Sequence, residues 1–264
     1  MNRLQRKMAS LKDCGKKAFI AYITAGYPDL RATERLVEVI IKNGADCVEL
    51  GMPFSDPIAD GPTIQRASFR ALQRGITVKK FLALAAAIRK KTDIPLVMMT
   101  YYNPIFHYGL DKFALEAQKA GLDGVIVPDL PPEEAGELHR RLKRREISQI
   151  FLISPVTKES RIKKIVRMCS GFVYYVSLTG VTGARTVLPR RIAGQLNTIK
   201  RYTTLPVCVG FGVSTPEQVK QLSAAADGVI VGSAIIARIE KHLKTRSMYA
   251  KIGSYIGRMN RNTY

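Results

Sequence analysis

The chain has 264 residues, of which 46% are hydrophobic and 24% charged, and this composition indicates a globular protein with one domain over residues 1–264. No apolar run approaches the roughly 20 residues that cross a membrane, and no export signal opens the chain, so we expect a cytoplasmic location. The four cysteines are scattered and the chain has only three histidines, which argues against disulfides and against a metal site. The net charge of +21 raises the question of an anionic partner such as nucleic acid.

Short apolar strands alternate with helical patterns along the chain. Residues 1–17 predict an extra N-terminal helix that covers the bottom of a barrel, and residues 237–264 predict a basic C-terminal helix and tail. The predicted strands are 19–27, 47–54, 95–103, 124–130, 149–155, 171–179, 206–212 and 228–234. Helical spacing predicts helices between them, for example over 30–44, 77–92, 110–121 and 216–226. Eight such units predict an α/β protein with a (β/α)8 TIM barrel.

The basic residues cluster late in the predicted helices. The densest run, His139-Arg140-Arg141-Leu142-Lys143-Arg144-Arg145, ends a segment that opens with acidic residues, an order that the helix dipole favours. No aromatic residues are interleaved with these clusters to stack on bases. A solvated outer surface is therefore the better interpretation, and a non-catalytic basic barrel that binds nucleic acid or acts as a partner's scaffold is the alternative.

A weak internal repeat places an aspartate between a helix end and a strand at Asp46, Asp123 and Asp227. These positions fall at the N-terminal rim of the predicted barrel, where residues serve stability more often than catalysis. We therefore expect the three aspartates to cap turns.

Glu49 lies inside the apolar stretch Val48-Glu49-Leu50-Gly51. Side chains alternate along a strand, so Glu49 and Gly51 share one face. Because a carboxylate facing outward would pack against helices, we expect Glu49 to point into the barrel mouth, where low dielectric raises its pKa toward a range useful for proton transfer. The alternative is a buried glutamate that pairs with a base for structural reasons.

The loop after this strand, residues 53–62, holds Asp56 and Asp60 among three prolines. The prolines restrict the loop and Gly61 permits a turn, which predicts a preorganised lid. We expect Asp60 to face Glu49 across a substrate, although aspartate beside glycine and proline is also ordinary turn chemistry.

Glycines follow each of the last three predicted strands, in Thr179-Gly180-Val181-Thr182-Gly183, Gly210-Phe211-Gly212 and Gly232-Ser233. Glycine lets backbone N–H groups approach an anion closely, and a short helix after Ser233 would direct its positive end at that anion. The pattern predicts a phosphate site in the position usual for such barrels.

The stretch from Val48 to Pro62, together with Gly180-Val181-Thr182-Gly183 and Gly210-Phe211-Gly212, resembles the signature of tryptophan synthase alpha subunits, and the likeness covers about residues 19–236. The resemblance implies a lyase of tryptophan biosynthesis that performs retro-aldol cleavage of indole-3-glycerol phosphate to indole and glyceraldehyde 3-phosphate. By the family's roles, Glu49 would protonate C3 of the indole ring and accept a proton from the glycerol hydroxyl. Asp60 would accept a hydrogen bond from the indole N–H and stabilise the positive charge that develops.

The resemblance also implies the rest of the site. The family places a tyrosine on the sixth strand; both Tyr174 and Tyr175 are present, and counting back from Gly180 selects Tyr174. The implied phosphate contacts come from the backbone of Gly183, Gly212, Gly232 and Ser233, and the implied indole-pocket walls are Tyr22, Ile64, Tyr101, Ile126 and Phe211.

Family members work with a beta subunit, in an expected alpha2beta2 tetramer, that binds pyridoxal phosphate and receives indole through a tunnel. The resemblance therefore implies no cofactor in this chain, and it implies that loops 53–62 and 181–190 respond to the partner. Another phosphate-binding barrel of the same pathway, an isomerase or the indole-glycerol phosphate synthase, would need a lysine at a strand end, and none of the predicted strands contains lysine. The strong positive charge and the basic ending from Arg238 to Tyr264 depart from the family.

Overall fold

The computed structural model describes residues 1–177, 187–210 and 212–263, without the side chains of residues 187–191. Within these residues nine parallel strands form one sheet in the order β5-β4-β3-β2-β1-β9-β8-β7-β6. The strands are β1 Ala18–Thr24, β2 Cys47–Gly51, β3 Leu96–Met99, β4 Gly124–Ile126, β5 Ser148–Ile150, β6 Leu152–Ile153, β7 Val173–Val176, β8 Val207–Gly210 and β9 Gly228–Val231.

The two outer strands of the sheet, β5 and β6, are consecutive on the chain and separated only by Phe151. Strand β5 pairs with β4 and β6 pairs with β7, while the backbone N–H of Tyr174 donates to the carbonyl oxygen of Phe151 at 3.1 Å. The predicted strand 149–155 is thus divided in two, because its two halves pair with different neighbours. The nine strands correspond to the eight predicted units, and the predicted TIM barrel is confirmed.

Helices surround the sheet. They are α1 Arg3–Asp13, α2 Leu30–Lys42, α3 Pro62–Gln73, α4 Val78–Arg89, α5 Tyr102–Tyr108, α6 Leu110–Lys119, α7 Gly136–Arg144, α8 Glu159–Met168, α9 Val187–Lys200, α10 Pro216–Ser223, α11 Ser233–His242 and α12 Met248–Asn260. Several begin where the sequence supplies an N-cap: the side chains of Asp29, Thr77 and Thr215 each accept a backbone N–H of the first turn. None of the described helices is long and apolar enough to span a membrane.

Helix α1 packs where strands begin. The side-chain amide of Asn2 donates to the carbonyl oxygen of Asp123 at 2.8 Å, directly before β4. Leu4 is fully buried, and a methyl group built on Gly124 or Gly171 would lie 3.3 or 2.8 Å from its Cδ2 atom. These two glycines leave room for Leu4 at the N-terminal end of the barrel.

The organisation of residues 1–264 as a single domain stays a prediction.

The three repeated aspartates join neighbouring strands at this same rim. The Oδ2 atom of each accepts a backbone N–H from the start of the preceding strand, and the aspartate's own N–H donates back to the carbonyl of that residue. The pairs are Asp46 with Phe19 at 3.0 Å, Asp123 with Leu96 at 3.0 Å, and Asp227 with Val207 at 2.9 Å. The three side chains thus link neighbouring strands at this rim, which is a structural role, while the expectation that they cap turns stays a prediction.

Candidate active site

A cavity of about 470 Å³ opens where the strands end, at the carboxyl side of the barrel. In a parallel barrel this is where residues from several strands converge. The described residues that line it are Tyr22, Glu49, Asp60, Gly61, Pro62, Thr63, Ile64, Met99, Tyr174, Ser177, Gly212, Val213, Ile230, Gly232 and Ser233.

Most of the residues expected from the sequence meet in this cavity. Those that line it are Glu49, Asp60, Tyr174, Gly212, Gly232, Ser233, Tyr22 and Ile64. Two described ones do not: Ile126 is fully buried in β4, and Tyr101 lies behind Asp60. Gly183 and Phe211 lie outside the described residues. Of the loop predicted at 181–190, residues 181–186 also lie outside them, and α9 begins at Val187.

Glu49 occupies the middle of β2 and is 1% exposed. Among the described residues its Oε2 atom has no hydrogen-bond partner and no basic side chain forms an ion pair with Glu49, so the alternative of a structural pair gains no support. Burial, with a further contribution from the negative charge of Asp60, raises the pKa of Glu49 from 4.5 to about 8. At neutral pH the carboxyl group is protonated and can donate its proton.

Asp60 lies on the loop before α3, and Tyr101 holds it there. The hydroxyl of Tyr101 donates to Oδ2 of Asp60 at 3.3 Å and accepts the backbone N–H of Ala59 at 2.9 Å, while its ring stacks on Phe54 with centroids 5.1 Å apart. Burial raises the pKa of Asp60 to about 6, and the hydrogen bond from Tyr101 opposes that rise. The two carboxyl groups therefore differ at neutral pH, because Asp60 is mainly ionised and Glu49 mainly protonated.

Two tyrosine rings reach the cavity over glycines at strand ends. A methyl group on Gly51 would lie 2.1 Å from Oη of Tyr22, and one on Gly210 would lie 2.3 Å from Oη of Tyr174. Burial raises the pKa of both tyrosines, so their hydroxyl groups stay protonated. Tyr175 points elsewhere, since its hydroxyl donates to the side chain of Gln195 on α9.

The first turn of α11 lies at the cavity edge, because Gly232 and Ser233 both line the cavity and Ser233 begins the helix. No side chain among the described residues caps this helix, and its first turn contains no acidic residue. Uncapped N–H groups at a helix N-terminus are a favourable binding site for an anion such as phosphate.

Several lining residues were not expected from the sequence, among them Met99, Ser177 and Ile230. Alternation along a strand supplies a sequence signal for Ile230, which shares a strand face with Gly232, whereas Met99 is placed by its pairing with Gly51, which only the structure shows. Ser177 directly follows β7 and carries no such pattern. The described residues contain no group of three or more side chains suited to hold a metal ion.

Comparison with known proteins identifies the family. A family model described as the tryptophan synthase alpha chain matches residues 8–263. The chain belongs to this family. It is 50% identical over 241 residues to the tryptophan synthase alpha chain of Geobacter sulfurreducens, covering 91% of each chain, and 46% identical over 256 residues to that of Geotalea uraniireducens, covering 97% of this chain and 96% of the other.

A solved structure gives the same result. The tryptophan synthase subunit alpha of Legionella pneumophila superposes with a TM-score of 0.93 and 39% identity, over 100% of this chain and 98% of that one. The resemblance stated from the sequence is therefore confirmed, and the chain is a lyase of tryptophan biosynthesis. The alternative of a non-catalytic basic barrel has no support from these relatives.

Proposed function

We propose that the cavity at the carboxyl ends of the strands is where this chain cleaves indole-3-glycerol phosphate to indole and glyceraldehyde 3-phosphate, with Glu49 as the group that gives and takes the proton. The observation that carries this assignment is a carboxyl group that is buried, unpaired among the described residues, and protonated at neutral pH. A general acid needs such a pKa near the working pH.

In the proposed reaction Glu49 first transfers its proton to C3 of the indole ring, which leaves a positive charge on the ring system. The Glu49 carboxylate then accepts the proton of the hydroxyl on the side-chain carbon bonded to C3. That O–H pair forms the carbonyl of glyceraldehyde 3-phosphate, the carbon–carbon bond breaks, and its electron pair returns to the indole ring. Glu49 ends protonated, as it began.

Asp60 supplies the second carboxyl group in a different protonation state. As the mainly ionised group, with a pKa of about 6, it accepts the indole N–H and stabilises the ring's positive charge. The negative charge of Asp60 also raises the pKa of Glu49, so Asp60 helps to keep the proton that Glu49 donates. Tyr174 and Tyr22 present protonated hydroxyl groups to the same cavity.

The phosphate group is assigned to the N-terminus of α11, with the backbone of Gly212, Gly232 and Ser233; Gly183 stays a prediction. A cavity of about 470 Å³ falls within the usual range for sites that hold a small ligand. Ile64 supplies an apolar wall, and Tyr101 acts through Asp60 instead of contacting the indole ring.

Membership of the family implies a beta-subunit partner. We assign its docking surface to the rim around the cavity, where two loops and helix α5 expose large apolar side chains: Ile58 is 82% exposed, Phe106 on α5 59% and Val156 80%. These residues follow β2, β3 and β6, at the same end of the barrel. We further propose that this chain and the beta subunit form an alpha2beta2 tetramer in the cytoplasm, and that only the beta subunit binds pyridoxal phosphate.

The test is the release of indole from indole-3-glycerol phosphate, measured with and without a beta subunit. We expect slow release by the free chain and faster release with the partner, and a loss of roughly 1,000-fold or more for Glu49→Gln with the circular dichroism spectrum unchanged. Glu134→Gln, which changes an exposed glutamate of the same kind, serves as the matched control. Normal turnover by Glu49→Gln would refute the proposed mechanism.

A further inference from the structure

The cleft between α11 and α12 is lined by basic side chains. It encloses about 350 Å³ and is bounded by Arg238 and His242 from α11 and by Ala250, Lys251, Ser254 and Arg258 from α12. None of these residues carries a carboxylate, and none lines the active-site cavity. At 1.5 Å per residue, His242 lies roughly 14 Å along α11 from the N-terminus that faces that cavity.

Helical spacing brings these groups together. Arg238 and His242 are four residues apart on α11, and Lys251, Ser254 and Arg258 follow one another at intervals of three and four on α12, so each helix presents one face to the cleft. The positive side chains on the two facing helices repel one another, which destabilises the charged cleft. An anion bound between them would relieve this repulsion.

No acidic side chain in the described chain neutralises this cluster. Arg238, Lys251 and Arg258 have no carboxylate within ion-pair distance among the described residues. Glu240, the acid nearest to them in sequence, pairs with Arg66 at 3.1 Å and with Arg70 at 3.6 Å instead.

Two of the cations are held in place without an anion. The guanidinium carbon of Arg238 lies 3.6 Å from the ring centroid of Tyr255, and the hydroxyl of Tyr255 donates to the carbonyl oxygen of Ser214 at 2.9 Å. Stacking uses the flat face of the guanidinium and leaves its in-plane N–H groups available. Arg258 donates to the hydroxyl of Ser254 at 3.2 Å, which orients a second guanidinium.

We propose that this cleft binds a compact polyvalent anion with at least two phosphate groups, such as pyrophosphate or a small diphosphorylated metabolite. The cleft volume lies near the lower end of the range for small-molecule sites. Guanidinium groups bind phosphate oxygens in a bidentate manner. A nucleic acid fits less well, because none of the described lining residues is aromatic and Arg238 already covers the ring of Tyr255.

His242 gives the site a reporter. Burial and the positive charges of Lys251, Lys241 and Arg238 lower the pKa of His242. An anion bound between α11 and α12 would oppose these charges, so we expect the pKa of His242 to rise when pyrophosphate binds. The chain has only two other histidines, His107 and His139, which serve as internal references in an NMR titration.

The binding experiment uses sodium pyrophosphate and isothermal titration calorimetry on the full chain, with the active-site cavity saturated by glycerol 3-phosphate. We expect one further binding site, whose dissociation constant rises at least about tenfold in each of Lys251→Gln and Arg258→Gln while indole release is unchanged. Lys143→Gln with Arg144→Gln removes exposed charge from α7 and is the matched control, for which we expect no more than about a twofold change.

Three outcomes would overturn the proposal. The first is no binding of pyrophosphate beyond the active-site cavity. The second is an equal loss of binding in the α7 control, which would show that the net charge attracts the anion without a defined site. The third is tight binding of a single-stranded RNA or of anionic phospholipid vesicles that Lys251→Gln and Arg258→Gln abolish and that pyrophosphate does not displace, which would assign the cleft to a macromolecular surface.

Discussion

Replacing Glu49 by glutamine is expected to make the folded protein more stable at alkaline pH, although it removes the proposed catalytic group. Glu49 is 1% exposed, and its Oε2 atom has no hydrogen-bond partner among the described residues. Ionisation is therefore costly in the folded state, where the pKa is about 8, and easy in the unfolded chain, where it is near 4.5. Glutamine has the same shape and never ionises.

The sign of the pH dependence follows from these two values. Between pH 4.5 and about 8 the folded state holds the Glu49 proton and the unfolded state has released it, so the free energy of unfolding falls as the pH rises through this range and is level above it. At about 1.4 kcal/mol for each pH unit, this whole interval makes the loss on the order of 5 kcal/mol, of which about 4 kcal/mol falls above pH 5. Asp60, whose pKa is also raised, contributes in the same direction in both proteins.

Urea unfolding of the wild-type chain and of Glu49→Gln, at about pH 5 and about pH 9, measures this effect. We expect the variant to gain stability relative to the wild-type chain as the pH rises, by up to about 4 kcal/mol. Glu134→Gln changes an exposed side chain and should show no such gain. If the wild-type chain and Glu49→Gln lost the same stability between the two pH values, Glu49 would ionise freely in the folded protein and the reasoning about its burial would be refuted.

Three further substitutions test the surroundings of the site. Tyr101→Phe removes a hydrogen bond that lowers the pKa of Asp60, so the acidic limb of the pH profile of kcat/KM should move to higher pH with about a tenfold loss at neutral pH; an unmoved limb would contradict this role. Gly210→Ala places a methyl group 2.3 Å from Oη of Tyr174, and denaturant unfolding should show a loss of about 1 to 3 kcal/mol, whereas wild-type stability and kcat would show that Tyr174 moves freely. Asp227→Asn should lower the unfolding free energy by about 1 to 2 kcal/mol with kcat unchanged, and a loss of kcat without a loss of stability would contradict its structural role.

The sequence predicts the barrel and the inward position of Glu49 well, because both follow from periodicity. Alternation places Glu49 and Gly51 on one strand face, and only the inward face can accept a carboxyl group. Strand ends are less well predicted: the strand expected over 47–54 ends at Gly51. Phe54 belongs to the loop, where it stacks on Tyr101, and an apolar pattern does not distinguish such a packed loop residue from a strand residue.

Which inward residues reach the cavity could not be predicted from the pattern alone. Ile126 pairs with Met99 in the sheet, yet Met99 lines the cavity and Ile126 is buried below it. Tyr101 follows β3 closely, but its hydroxyl bonds with Ala59 and Asp60 turn it toward the loop. These outcomes depend on strand register and on contacts between distant segments, which short-range spacing does not contain.

The positive charge of the chain and the chemistry of its active site are separable. A net charge of +21 would by itself favour the ionised form of every carboxyl group, yet the pKa of Glu49 is raised, so burial and the nearby charge of Asp60 outweigh the distant cations. No lysine or arginine among the described residues lines the active-site cavity. Added salt should therefore leave the basic limb of the kcat/KM profile, which follows Glu49, nearly unmoved, while it weakens pyrophosphate binding between α11 and α12 steeply. A basic limb that moved with salt as much as the pyrophosphate affinity would show that distant cations control the protonation of Glu49.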